Sequence, residues 1–362
     1  MATGPLGKAH PGGYDDGRQL YGMTAASIRR WRWKRAAAVA GTGSARYAKI
    51  GDSISAGQGL QPATQSPPVV MGGLLAARGF PVRGASVILN PRTMTADSRL
   101  TFTGSWSEFA PGVLTTFASC ATSGGSVTLT AFVAAAGDYL ARVITTQDSR
   151  ECTIAIDGGE PGPVRLSGAA GLATHLVALP KLAAGRHTVT VTVAGESGEL
   201  RVGSIGIEAA DGITIGDFGI SMSTTADWVA GGAAYSALNH VVAWSPDLAL
   251  IALMTNDANE QTAVAPDRYA ANLDTMVSAL ENTCDVVLEA QIPGDPAWVD
   301  LSPYRDAVYD VANAHGVPVL DLFDRWGSHA AAAGAGLMND AFHPNAAGAA
   351  DIAAAEFAVV SA

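Results

Sequence analysis

Tyr47-Ala48-Lys49-Ile50-Gly51-Asp52-Ser53-Ile54-Ser55-Ala56-Gly57 reads as a strand that breaks into a glycine-bounded turn carrying a serine. A side chain in that position stands at the carboxyl edge of a sheet, where open α/β folds place their reactive groups. A serine hydroxyl needs a base, and the far end of the chain offers one in Asp340-Ala341-Phe342-His343-Pro344-Asn345. An aspartate three residues before a histidine lies on the same side of one helical turn. Its carboxylate reaches the imidazole, fixes the tautomer and leaves the other ring nitrogen facing outward. Between the two halves, Leu248-Ala-Leu-Ile-Ala-Leu253 followed by Met254-Thr255-Asn256-Asp257 is a buried strand ending in an amide able to donate a hydrogen bond to an oxyanion.

Singly, Gly-Asp-Ser is also an ordinary strand-to-helix turn, and Asp-x-x-His an ordinary helix cap. Together and in this order, the segments resemble the SGNH (GDSL-type) hydrolase family of serine esterases and lipases. Gly51-Asp52-Ser53 matches the first family block, Asn256-Asp257 the third, and Asp340-x-x-His343-Pro344-Asn345, with Gly348 following, the last. The resemblance implies Ser53 as nucleophile, His343 as base and Asp340 as the group that orients it. It also implies an oxyanion hole of the Ser53 backbone N–H, a backbone N–H near Met222 and the Asn256 amide. Asp52 is expected to be buried and structural. Two positions depart from the pattern. Met222 follows Gly219-Ile220-Ser221 where the second block has glycine, and Met254 stands where the third block opens with glycine, which would set a flexible apolar side chain beside the substrate. No cofactor is expected, and no metal: Asp257, Asp340 and His343 find no further ligands. The remaining histidines, among them His175, His187, His240 and His315, read as satisfied surface or core groups.

The 362 residues, 48% of them hydrophobic and 15% charged, are enough for a full core and more than one domain. The net charge of −11 is uneven, because residues 1 to 48 hold eight Lys/Arg and two acids, a net of +6, leaving −17 for the rest. A basic arm of this kind can lie on its own acidic body or on a protein partner. Nucleic acid is not expected as a partner, since the acidic remainder repels a polyanion. The three cysteines, Cys120, Cys152 and Cys284, lack metal-ligand spacing and read as buried thiols, although Cys120 and Cys152 share a region and could pair. No run approaches the roughly 18 apolar residues of a membrane span, and the piece after Ile28–Arg35 is too short for a signal peptide. The expectation is a soluble protein, cytoplasmic by default or attached to a virion or cell envelope by another route.

The organisation expected is a basic arm and short helix over 1–44, an SGNH-hydrolase-like domain split between 45–95 and 211–362, and a β-sandwich inserted over 96–210. A helix from about Thr24 to Ala40 would pack Ile28, Trp31 and Trp33 on the catalytic part. Helices near 68–77, 225–242, 267–280, 302–315 and 345–360 alternate with strands near 213–215, 248–253, 286–291 and 317–320, which predicts a three-layer α/β/α fold around a parallel sheet. From about Thr95, period-two runs such as Ser126–Phe132 and His187–Val193 predict an antiparallel sandwich, resembling the jelly-roll modules attached to carbohydrate-active enzymes. The insert is expected to begin and end near the active-site edge of the sheet and so to overhang the site, and Trp106, Phe109 and Tyr139 are its candidates for sugar stacking.

The activity expected is that of a carboxylic ester hydrolase removing O-acyl groups, acetyl above all, from a polysaccharide or cell-envelope glycan. Two alternatives stand beside it. One is a lipase or thioesterase acting on longer acyl esters, and the other a structural, virion tail-like protein whose hydrolase domain binds glycan.

Overall fold

The computed structural model describes residues 19–24, 26–60, 65–89, 97, 99–108, 117–147, 150–160, 162–164, 171–230, 236–259 and 261–362. Six strands run parallel, in the spatial order Val319–Asp321, Asp285–Ala290, Leu248–Ala252, Ser44–Gly51, Gly212–Gly219, Val82–Ile88. Every residue of Leu248–Ala252 and of Gly212–Gly219 is buried, as a parallel sheet covered on both faces requires. On one face the helices Ala237–Trp244, Pro266–Leu280 and Ser302–His315 close a core containing Ile50, Val241, Leu273 and Val308. On the other, Arg29–Val39, Pro67–Ala77 and Ala346–Ser361 close one containing Trp31, Leu75 and Ile352. The fold is therefore three-layered α/β/α. Among the described residues no helix is long and apolar enough to cross a membrane.

Several elements differ from the sequence-based expectation. The helix expected near 225–242 is two, Thr225–Val229 and Ala237–Trp244, started by the caps Thr224 and Ser236, whose hydroxyls accept from the Asp227 and Asn239 backbone N–H. The N-terminal helix buries Ile28 and Trp31, but Trp33 points outward, 69% exposed. Its basic side chains reach the acidic body, Arg30 Nε lying 3.4 Å and Lys34 Nζ 3.9 Å from Asp247 Oδ1, and the Trp31 backbone N–H donates to Asp285 at 2.7 Å.

The inserted region is a sandwich. One sheet has the antiparallel order Gly162–Val164, Cys152–Ile156, Gly185–Val193, Ser126–Val133, Leu100–Thr103. Opposite lie Leu200–Ala209, Tyr139–Thr146 and Leu172–Ala178, and the two layers bury Val127, Leu129, Val143, Val191 and Ile205 between them. The second layer is continuous with the parallel sheet, because Leu200–Ala209 pairs antiparallel with Val82–Ile88 (Ser204 opposite Ile88, Ile207 opposite Ala85). The chain thus returns from the insert at the end of the sheet opposite Ile88. That corrects the expectation that both connections lie at the active-site edge. All three cysteines are free and buried. Tyr139 is 2% exposed with its hydroxyl donating to the Ala135 carbonyl, so it is core and not a stacking platform. Phe109 lies outside the described residues.

Candidate active site

The strand Ser44–Gly51 delivers Ser53 to the carboxyl edge of the sheet, and close packing fixes the turn. A Cβ on Gly51 would stand 2.0 Å from Ser55 Oγ, and one on Gly219 would stand 2.3 Å from the Ala56 nitrogen. Neither position can carry a side chain without opening the turn. Ser53 is 6% exposed, and its Oγ lies 2.9 Å from His343 Nε2. His343 Nδ1 lies 3.0 Å from Asp340 Oδ2. The segment around Asp340 is not the helical turn expected from its spacing. It is a loop in which Asp340 Oδ1 accepts the backbone N–H of Phe342 (2.8 Å) and of His343 (2.7 Å), while the Asn339 N–H donates to the His343 carbonyl. Asparagine-like side chains close such loops by bonding backbone two and three residues on. Partial burial would push the Asp340 carboxyl upward, but those N–H bonds and the adjacent imidazole outweigh it and hold it below the usual range. Asn345 then starts the last helix, accepting from the Ala347 and Gly348 backbone.

Around Ser53 a pocket of about 140 Å³ is lined by Ile54, Gln58, Met222, Asn256, Gln261, Phe342 and His343, among others. No described residue of 96–210 lines it. Met222 has φ 63°, a left-handed conformation that glycine adopts freely and other residues rarely. Its side chain is 56% exposed at the mouth. Among the described residues neither the Ser53 nor the Met222 backbone N–H donates elsewhere. The Asn256 amide gives one hydrogen to the Ser223 carbonyl (3.0 Å) and keeps the other. Met254 does not reach the pocket; it is fully buried in the core, which corrects the expectation that it flanks the substrate. Trp106 likewise leans on Phe102 (centroids 5.7 Å apart) with its indole N–H on the Thr103 carbonyl, partly buried against the sandwich core.

Of two supporting residues, Gln291 escaped the sequence reading and Asp257 was read as part of the third block. Gln291, buried at the end of its strand, donates to Asp52 Oδ2 (3.1 Å) and the Ala252 carbonyl (3.0 Å) and accepts the Thr255 N–H (2.9 Å). It ties the Ser53 turn to the Asn256 turn. Asp257, also buried, accepts the Thr225 backbone N–H at 3.0 Å and its hydroxyl at 2.5 Å, which anchors the loop carrying Met222. Burial pushes Asp257 up to about 7. The only trace of Gln291 in the sequence is one amide closing an apolar run. Asp52 is buried as expected, accepting the Ile54 N–H at 2.9 Å.

Residues 178–350 match the GDSL-like lipase/acylhydrolase family, a span that holds Asn256, Asp340 and His343. The chain carries a GDSL-like hydrolase domain. Carboxylic ester hydrolysis is the chemistry of such a domain; Ser53 lies outside the matched span. Among solved structures, a peptidoglycan O-acetylesterase aligns with 95% of the chain and 97% of its own at 19% identity and a TM-score of 0.69, a likeness of fold. A family two carbohydrate esterase from Clostridium thermocellum aligns with 72% of the chain and 98% of its own (15% identity, TM-score 0.33). A family 35 carbohydrate binding module from the same organism aligns with 31% and 94% (19%, TM-score 0.27). A comparison with curated protein sequences finds no match.

Met222→Gly removes a Cβ from a left-handed backbone that costs about 1 kcal/mol, but keeps the N–H. Stability is expected to hold or rise, by at most about 1 kcal/mol, with p-nitrophenyl acetate turnover within a few-fold of the parent. A loss beyond about a hundredfold, the scale of a missing oxyanion donor, would mean that the N–H is not positioned by the backbone alone.

Proposed function

We propose that the hydrolase removes O-acetyl groups from a glycan by a serine mechanism. Ser53 Oγ attacks the ester carbonyl while His343 Nε2 takes its proton. The same proton then goes to the departing alcohol as the tetrahedral intermediate collapses to an acyl-Ser53. Water, activated by His343, releases the acid. Asp340 holds the ring with Nδ1–H toward itself and stabilises the imidazolium. The Ser53 and Met222 N–H groups and the free Asn256 amide hydrogen receive the oxyanion.

The observation that carries this reading is the hydrogen-bonded series Ser53, His343, Asp340 opening onto a pocket of only about 140 Å³. That is less than half the roughly 300 Å³ at which sites for larger ligands begin. A short acyl group fits such a space. The polar side chains of Gln58, Asn259, Gln261 and Thr262 suit a hydroxylated alcohol. The fold shared with a peptidoglycan O-acetylesterase supports a glycan as that alcohol. The test measures acetate released from O-acetylated peptidoglycan and from acetylated xylan beside turnover of p-nitrophenyl acetate and octanoate. Acetate release with at least tenfold preference for the short ester is expected. Faster turnover of the octanoate would establish a lipase or thioesterase instead, and no turnover of any ester would leave a glycan-binding structural protein.

A further inference from the structure

We propose that the cavity between helix Pro67–Ala77 and the sandwich strand Ser126–Val133 is a binding site for a medium-chain aliphatic carboxylate, with the chain inside and the carboxylate on Arg186. The cavity, about 590 Å³, is the size of a small-molecule site and shares no lining residue with the Ser53 pocket. Val69, Val82, Val87, Leu129 and Ile215 make its walls apolar.

Helix Pro67–Ala77 carries two successive glycines in its interior, where glycine is a poor helix former. Gly72 has a packing reason, since a Cβ there would meet Ile215 Cγ1 at 3.1 Å. Gly73 has none: a Cβ there would meet nothing within 4 Å. Gly73 is exposed and lines the cavity, so its missing side chain leaves the space there clear. The charged groups at the wall are Arg99, Asp217 and Arg186. Arg99 is already neutralised, 2.7 Å from Asp97 and 2.9 Å from Asp217. Arg186 is exposed, sits opposite Phe132 in the strand register and has no acidic partner among the described residues. Phe132 is 70% exposed. An apolar chamber with an unpaired guanidinium and an aromatic ring at its wall complements an aliphatic body ending in a carboxylate.

The test is calorimetric titration of the full chain with octanoate and with 1-octanol. Octanoate is expected to bind saturably, one per chain. Gly73→Leu fills the cavity from a helix position with free space, and should abolish binding with thermal unfolding unchanged or raised. Val69→Phe fills it from one turn earlier and serves if the leucine variant does not fold. Arg186→Ala should weaken octanoate about tenfold, the scale of one charge-assisted contact, and leave octanol unchanged. Turnover of p-nitrophenyl acetate reports that each variant is folded. Absence of saturable binding, or binding untouched by the folded cavity-filling variant, overturns the site. Equal effects of Arg186→Ala on both ligands overturn the carboxylate assignment.

Discussion

Lys49→Met is expected to destabilise the fold by about 3–5 kcal/mol at pH 8, the cost of breaking a buried ion pair from one side, and by much less at pH 5. Lys49 Nζ lies 2.5 Å from Glu289 and 2.8 Å from Glu356 beneath the strand that carries Ser53, and none of the three side chains is more than 1% exposed. Tyr47 donates to the second oxygen of Glu356 at 3.3 Å. One cation faces two carboxylates, so burial raises Glu289 to about 7 even though Lys49 pulls it down. A carboxyl whose folded value is raised binds a proton in the folded state that the unfolded chain has released. Its contribution is therefore full below the ordinary Glu range and is lost as pH rises through about 7. Removing Lys49 removes the group that opposes this loss and leaves two carboxylates that fold only by keeping protons. Urea midpoints of parent and variant at both pH values read the effect. A stability gap of the same size at pH 5 and pH 8 would mean that the network is not electrostatically coupled.

The second large effect is on turnover. Ser53→Ala is expected to lower ester hydrolysis by at least about a thousandfold, while stability stays within about 1 kcal/mol, the value of one hydrogen bond. The Ser53 turn is held by the Gly51 contact, by Asp52 and by Gln291, none of which involves the Ser53 hydroxyl. His343→Ala should cost nearly as much activity as Ser53→Ala. Asp340→Asn should cost less than His343→Ala. Its amide oxygen can still accept the Phe342 and His343 N–H groups that close the loop, so the ring stays in place, but the group facing Nδ1 becomes a donor and favours the wrong tautomer. An Asp340→Asn variant as inactive as His343→Ala would point to collapse of the loop.

The parallel sheet and its helices were legible because both faces are covered. Leu248–Ala252 is an unbroken apolar run, and Ser302–His315 shows its period and its Pro start in the sequence. Ser53 and Asn256 were nameable for the same reason, since each follows such a strand, and Asp340 and His343 by their three-residue spacing ahead of the last helix. The two strands that fuse the sandwich to the sheet, Val82–Ile88 and Leu200–Ala209, were not. Glycines interrupt both: at Gly84 and Gly206 backbones approach closely, a Cβ on Gly84 lying 2.7 Å from the Ile207 carbonyl, and at Gly203 a Cβ would lie 2.4 Å from the His240 ring. Close approach erases the alternation that marks a strand. Met254 was misplaced because nothing in a sequence tells whether a residue after a strand turns into the pocket or back into the core. Trp33 was misplaced for a similar reason, since a short helix with two tryptophans two residues apart can bury only one.

Reaction with a fluorophosphonate, read by intact mass and peptide mapping, asks whether Ser53 is the nucleophile activated by His343. One adduct per chain on Ser53 is expected, absent from Ser53→Ala and formed far more slowly in His343→Ala. An adduct on another residue, or labelling of Ser53→Ala at the parent's rate, would mean that Ser53 is not the nucleophile.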